Sequence, residues 1–329
     1  MNTFRISLLF FCLVIFFSCE KEIDLNINGD NNSLVVEGYI QENYPAYVFL
    51  SSTQAYFNPI DSNTLSDIVV DDAQIFIERD DGITHKLTYV SQDIIDSLGL
   101  DSISIPIPGF YIDLYYKDDA FNQIGYTYKL RIIRNTDTLT SVTTIPPAYP
   151  IDSLWVEPKD VTENNYECYI WVQANDPDTL GNNITAYFKR GSGWESLFTP
   201  CAISIRTDQV VNGENFPARF ARSGRFSEDN GVFLPFYGDR IINGEYKKRD
   251  VVFFRISHIN NITYKFWRSV DRAKNSTGNP FAEPMNLSGN IKGGLGIWSG
   301  YGTSYYKVPI VADTVIYSTY NDLAVFDIF

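Results

Sequence analysis

Histidine and methionine are almost missing from this chain, which holds two of each in 329 residues. Neither His85 nor His258 has a second ligand at a spacing such as His-x-x-x-His, so a zinc centre of that type is excluded. His258 ends a strand-like run and reads as a hydrogen-bonded structural group, whereas His85 follows a turn and reads as exposed. A serine-hydrolase elbow needs Gly-x-Ser-x-Gly, and Gly191-Ser192-Gly193 is too short, reading as a turn. A phosphate loop is missing as well, because Gly293-Gly294-Leu295-Gly296 lacks the Gly-Lys-Ser/Thr ending. Adjacent carboxylates such as Asp71-Asp72 and Asp118-Asp119 do not make an acid/base pair, since neighbours on a strand point to opposite faces. These absences argue against an enzyme.

Positive charge is scarce too, with 26 Lys plus Arg against 40 Asp plus Glu and a net charge of −14. The densest basic cluster is only Lys247-Lys248-Arg249, so a phosphate backbone would be repelled and nucleic acid is not an expected partner.

Long apolar runs are absent except for one, and it sits at the start. Arg5 precedes the twelve residues Ile6 to Phe17, followed by Ser18-Cys19-Glu20. As a helix this run spans about 18 Å against about 30 Å of hydrocarbon, too short to cross a bilayer. A positive start, a short apolar core and a small residue before a cysteine are the parts of a bacterial lipoprotein signal, with Cys19 as the acylated mature N-terminus. Phe16 at the minus-three position disfavours ordinary signal cleavage. Residues 1–18 are then the signal peptide, and loss of Arg5 moves the net charge to −15. The turn-rich residues 19–33 form a flexible tether reaching about 20 Å.

What the remainder has in quantity is Tyr and Phe, 22 and 23 residues, with Thr, Val and Ile throughout, a β-rich composition. Ser33 to Ile40 and Tyr47 to Ser51 read as strands around a turn at Asn43 to Pro45. Ala73 to Arg79 and His85 to Val90 flank a hairpin turn at Asp80-Asp81-Gly82. Tyr126, Tyr128, Leu130 and Ile132 alternate with polar residues, and Asn135-Thr136-Asp137 turns the chain into Thr138 to Ile145. Pro146-Pro147 and Pro150 end this series, and Leu154 to Glu157, Tyr166 to Gln173 and Ile184 to Arg190 start another. Val251 to Ile256 suits a central strand, and Tyr264 to Lys274 has helical spacing of Phe266, Trp267, Val270 and Ala273. The expectation is a mainly all-β fold: an N-terminal Ig-like or transthyretin-like β-sandwich over 34–146, then a second β-rich domain over 151–329 with one short helix.

Cys168 and Cys201 leave two alternatives. A bridge would close a loop of about 34 residues and stabilise by roughly 3 to 4 kcal/mol on the chain-entropy model. A buried thiol is the other reading, because Cys168 shares a strand face with Ile170 and Val172. Asn175-Asp176-Pro177-Asp178-Thr179 with Asn182 offers oxygens to calcium, but its order is not that of an EF-hand and such turns are common. No cofactor or metal is expected beyond the lipid on Cys19.

The runs Asn279-Pro280-Phe281-Ala282-Glu283-Pro284 and Gly289-Asn290-Ile291-Lys292-Gly293-Gly294-Leu295-Gly296-Ile297-Trp298, with Leu34 to Gly38, Pro150 to Leu154, Gly238-Asp239-Arg240 and Asn243-Gly244, carry a resemblance. On them the chain resembles the Bacteroidetes lipoprotein family catalogued as domain of unknown function 4249. That resemblance implies an outer-membrane location and a TonB-dependent transporter or other outer-membrane barrel as partner, and it supplies no catalytic residues to carry over. The acidic Glu20, Glu22 and Asp24 beside the anchor resemble surface-export signals, which implies a body facing the cell exterior. The expected role is a non-catalytic accessory or docking component, with a peptide- or glycan-binding or adhesion module as the alternative. Gly293, Gly294 and Gly296 read as a buried turn beside a strand, after which Trp298, Tyr301, Tyr305 and Tyr306 could be presented together to a partner.

Replacing Cys19 with Ala is expected to abolish lipid labelling and move the protein from the membrane fraction to the soluble one. Retention of Cys19→Ala as an integral membrane protein refutes the anchor.

Overall fold

Strand alternation explains the first elements. The computed structural model describes residues 33–53, 68–91, 93–94, 109–158, 167–190, 197–222, 236–237, 240–242, 245–247, 251–276 and 287–321. The expected signal peptide, Cys19 and most of the expected tether, with Asn279 to Pro284, lie outside these residues. In β1 (Leu34–Gln41) the side chains of Leu34, Val36 and Ile40 are buried, and β2 (Tyr47–Ser52) buries Val48 and Leu50 beside them. A turn with Asn43 in a positive-φ conformation joins the two. β3 (Gln74–Arg79) and β4 (Thr84–Lys86) form the hairpin around Gly82, and β5 (Thr88–Val90) follows one residue later. β6 (Phe110–Ile112), β7 (Thr127–Arg134) and β8 (Asp137–Thr144) complete the first segment.

The run from His85 to Val90 is divided at Leu87 rather than forming one returning strand. β4 pairs with β3, while β5 pairs with β6 in a different sheet. The buried Leu87 donates its N–H to the Ile75 carbonyl at 2.9 Å, which anchors the crossing between layers.

The second segment contains β9 (Ile151–Pro158), β10 (Glu167–Asn175), β11 (Asn183–Arg190), β12 (Thr199–Arg206), β13 (Asn215–Phe220), β14 (Phe236–Tyr237), β15 (Arg240–Ile242), β16 (Glu245–Lys247) and β17 (Val251–Ile259). The helix α1 (Asn261–Ser276), β18 (Leu295–Pro309) and β19 (Val315–Ile316) follow. The fold is mainly β, and α1 begins three residues before the spacing of its apolar side chains suggests. Asn260 supplies the reason: its side-chain oxygen accepts from the Thr263 N–H at 2.9 Å, capping the first turn. Phe266 and Thr263 form the buried face of α1.

Two cores lie against one long sheet of order β12-β11-β17-β18-β1-β2-β6-β5. The first core holds Val36, Val48, Ile75, Ile77, Tyr128, Leu130 and Ile132 and is closed by the sheet β4-β3-β7-β8. The second holds Leu154, Ile170, Val172, Ala186, Phe188, Phe254 and Val308 and is closed by the sheet β13-β10-β9-β19. The segment around Pro146-Pro147 is where the chain passes from one core to the other, since Ile145 belongs to the first and Tyr149 to the second.

The sheet itself does not divide there. Residues Leu295–Tyr301 of β18 pair in parallel with β1, and Gly302–Pro309 pair antiparallel with β17. Trp298 is 0 % exposed in the first core, and Tyr306 and Val308 sit in the second. The N-terminal sandwich over 34–146 therefore includes a strand from near the end of the sequence, and residues 33–329 form one compact unit.

This arrangement needs close backbone approach. A Cβ on Gly300 would meet the Thr144 carbonyl oxygen at 2.0 Å, where β18 crosses the end of β8. Gly296 combines a φ of +103° with a Cβ direction only 1.9 Å from the Val36 carbonyl oxygen, so both sterics and backbone conformation require glycine. Asn290 completes the hold, accepting the Trp298 N–H and donating to the Trp298 carbonyl at 2.9 and 2.8 Å. The Gly289 to Trp298 motif is thus a structural clasp, tied also to β8 by paired Thr140 and Lys292 backbone bonds.

Gly300→Ala is expected to cost about 3 kcal/mol, because the added Cβ meets the Thr144–Ile145 backbone and not a flexible side chain, so backbone must move. Denaturant unfolding measures it, with the half-exposed Leu295→Ala as a control expected within about 0.5 kcal/mol of the parent.

Candidate binding cleft

β12 and β13 run along the open side of the second sandwich, one at the edge of each facing sheet. They meet at one end, where Cys201 bridges Arg222 and the Ala202 N–H donates to the Ala221 carbonyl at 3.0 Å. Beyond that point they diverge. The gap is a cleft of about 550 Å³, floored by core side chains Val172, Ala174, Ile184 and Ile256 and walled by Phe216, Ala218 and Phe220. That volume lies within the range of about 300–1,000 Å³ usual for small-molecule sites, and an apolar lining with few polar groups is their usual chemistry.

The closed end is built by two loops that aspartates lace together. Asp208 is buried and accepts the N–H groups of Gly181 and Asn182 at 2.6 and 2.8 Å. Buried Asp176 accepts the Tyr149 hydroxyl at 2.7 Å and the Gly213 N–H at 3.1 Å. Asp178 accepts from Asn212 at 3.2 Å. Burial, then the Asp176 carboxylate, push the Tyr149 hydroxyl well above the ordinary tyrosine pKa, so it is a permanent donor here. The Asn175 to Thr179 run with Asn182 thus spends its oxygens on loop contacts. Among the described residues no group of three or more His, Cys, Asp or Glu is placed to hold a metal ion.

Arg206 crosses the mouth of the cleft. Its Nη2 donates to the Arg219 carbonyl at 2.6 Å, its Nε reaches the Ile203 carbonyl at 3.4 Å, and its guanidinium lies 4.0 Å from the Phe220 ring centroid. Burial lowers its pKa, opposed by Cys201 and assisted by Arg219. Arg219 is directed outward, 4.6 Å from the Tyr169 ring centroid and 5.9 Å from that of Trp171. Sequence reading missed Arg206, because nothing in its neighbours signals that two distant strands diverge around it.

Trp298, Tyr301, Tyr305 and Tyr306 do not stand on a presenting loop. All four are on β18 and buried, and the period of two along a strand sends them to different faces. Trp298 and Tyr306 enter the two cores, whereas Tyr301 and Tyr305 join an aromatic layer on the opposite face of the long sheet. Tyr39 stacks between Tyr47 at 4.7 Å and Tyr301 at 5.2 Å, the Trp267 indole N–H donates to the Tyr301 hydroxyl at 3.0 Å, and Gln41 bonds Tyr305 at 3.0 Å. Burial raises the pKa of Tyr39, Tyr47 and Tyr301.

His85 is buried, at 8 % exposure, rather than exposed. Its Nδ1 lies 2.8 Å from Asp113 Oδ2, and its ring stacks on Phe121 at 3.8 Å. Pairing opposite the buried Ile77 of β3 explains this, since it turns the His85 side chain to the core face while Thr84 and Lys86 point outward. Burial raises the Asp113 pKa, and the His85 bond offsets part of that. His258 Nδ1 is 2.8 Å from the Pro147 carbonyl oxygen.

Of the two alternatives for cysteine, the structure has the free thiols: Cys168 and Cys201 are both buried and unbonded in the second core. Burial pushes Cys168 up to about 11 and Cys201 higher still, with Arg206 opposing the latter shift. At neutral pH neither is a thiolate, so both are poor nucleophiles. Ellman titration without reductant is expected to find both thiols after denaturation and neither in the native protein; finding none after denaturation identifies a bridge.

The family model described as a domain of unknown function (DUF4249) matches residues 20–307. No curated protein and no solved structure matches the chain.

Proposed function

The chain belongs to the DUF4249 family, and we propose that it is a lipid-anchored, non-catalytic binding module of the bacterial outer membrane, taking an apolar ligand in the cleft between β12 and β13. The cleft is the observation that carries this reading. A sandwich that served only as a spacer gains nothing from an open gap beside its core, because closing it would bury further apolar surface, such as that of the exposed Ile203, at about 25 cal/mol per Å². Cys19 supplies the anchor, through a lipoprotein signal and a turn-rich tether, and the acidic residues beside it support a body facing the exterior.

The surroundings of the titratable groups support a non-catalytic role. His85 is committed to Asp113 inside a core, His258 to a backbone carbonyl, and the two thiols are buried and protonated. Docking on a TonB-dependent transporter or another outer-membrane barrel is the second reading. It is favoured by Leu180 and Val210, 72 % and 88 % exposed, on the two loops that Asp208 helps lace at the cleft. A ligand-binding end and a docking end would then coincide.

The mature chain, residues 19–329 with Cys19→Ser to leave off the lipid, provides the test. Nile red is expected to bind it at one site, and Ala218→Phe, which fills the cleft from β13, should weaken that binding by about tenfold, the equivalent of roughly two lost methylene contacts. Far-UV circular dichroism should be unchanged. Equal dye affinity in the two proteins rejects the cleft as the site.

A further inference from the structure

Among the described residues Arg79 and Arg134 have carboxylate partners, whereas Arg206, which lines the cleft, has none. Arg79 shows the ordinary solution for a buried guanidinium. It is 4 % exposed, bonds Asp81 through Nε and Nη2, and gives Nη1 to the carbonyls of Ala120 and Phe121. Arg206 has no such arrangement. Its two bonds go to uncharged carbonyls, and among the described residues no carboxylate lies within ion-pair distance and Nη1 has no hydrogen-bond partner. Asp208, the single carboxylate of the cleft wall, is turned to the loop N–H groups of Gly181 and Asn182.

Arg206 therefore places a half-buried positive charge, met by two carbonyls and the Phe220 ring but by no carboxylate among the described residues, beside an apolar cavity, where an anion would complete it. Resting on the proposal that the cleft is a binding site, we propose that its ligand is a small amphiphile with an apolar body and a carboxylate head, and that Arg206 is the head-group ligand. The body lies on Val172, Ile184, Ala218 and Ile256, the inward faces of both sheets, and the head meets the free edge of the guanidinium. A planar carboxylate matches the guanidinium fork, and although Arg219 also lines the cleft, its guanidinium is drawn aside over the Tyr169 and Trp171 rings, which leaves Arg206 to meet the head. Entry between the sheets, rather than along a strand edge, is what separates a small amphiphile from an extended peptide. Its neutral aliphatic analogue has no use for Arg206, and a cationic one is repelled by it.

Isothermal titration of the Cys19→Ser mature chain with decanoate, decanol, decyltrimethylammonium and the free-acid tripeptide Ala-Leu-Phe, each below its aggregation concentration, tests this. Decanoate is expected to bind about tenfold or more tighter than the other three, the usual scale of a charge-assisted bond. Arg206→Gln should remove the preference for decanoate while leaving decanol binding in place, and Arg206→Lys should retain part of it. Should Arg206→Gln not fold, the parent protein still decides: decanoate affinity must fall as pH drops through the ligand's own carboxyl pKa, with decanol affinity constant. Equal affinity for decanoate and decanol overturns the carboxylate assignment and leaves the cleft reading standing. Preference for the tripeptide replaces the small amphiphile with a peptide terminus. Failure of all four ligands and of Nile red overturns the cleft reading together with the inference.

Discussion

The double pairing of β18 is the constraint on which the rest of the structure depends. One strand supplies a parallel partner to β1 with its first half and an antiparallel partner to β17 with its second, so each core lacks a wall until residues near the end of the sequence arrive. Parallel pairing between elements so distant in sequence is entropically late, because a long loop must close before its contacts form. Trp298 makes the closure favourable. Its side chain is fully buried in the first core, its indole N–H donates to the Tyr128 carbonyl at 3.1 Å, and Asn290 holds both of its backbone groups. Small residues are the corollary, since a strand that crosses β8 closely enough to pair on both sides leaves no room for a Cβ at Gly300.

The cleft follows from the same geometry at the other edge. β12 ends the long sheet and β13 ends the facing one, so their connection must turn a corner between layers. Such a corner can either be filled with large side chains or left open. Here Ala174 and Ala218 are small, the strands join only around Cys201 and Arg222, and aspartate-laced loops close the far end. Polar groups at this end are almost all paired with backbone. Arg206 differs from Arg79, which carries an ion pair and three carbonyl contacts: it has two carbonyl bonds and no carboxylate among the described residues, and the proposed recognition of an anion rests on that difference.

Aromatic abundance resolves into structure by the same layer logic. Tyr and Phe on one face of each strand enter the two cores, and those on the other face of the long sheet, Tyr39, Tyr47, Phe49, Tyr301 and Tyr305, stack on one another with α1 contributing Trp267. Tyrosine suits this second face because its ring packs while its hydroxyl finds a partner, as Tyr305 does with Gln41.

Local chemistry was readable from residues alone. The alternation through Tyr128, Leu130 and Ile132, the turns at Asn43, Gly82 and Asn135, and the helical spacing around Phe266 are short-range properties, and family membership follows from linear motifs in the same way. The run around Cys19 that reads as a lipoprotein signal is linear too. Pairing between distant strands is not. No local pattern tells that β18 serves β1 as well as β17, that the chain changes sheet at Leu87 and carries His85 into a core, or that alternate faces of β18 separate Trp298 from Tyr301. Arg206 was invisible for the same reason: its place beside the cleft, with carbonyls rather than carboxylates around it among the described residues, is decided only by the packing of β12 against β13.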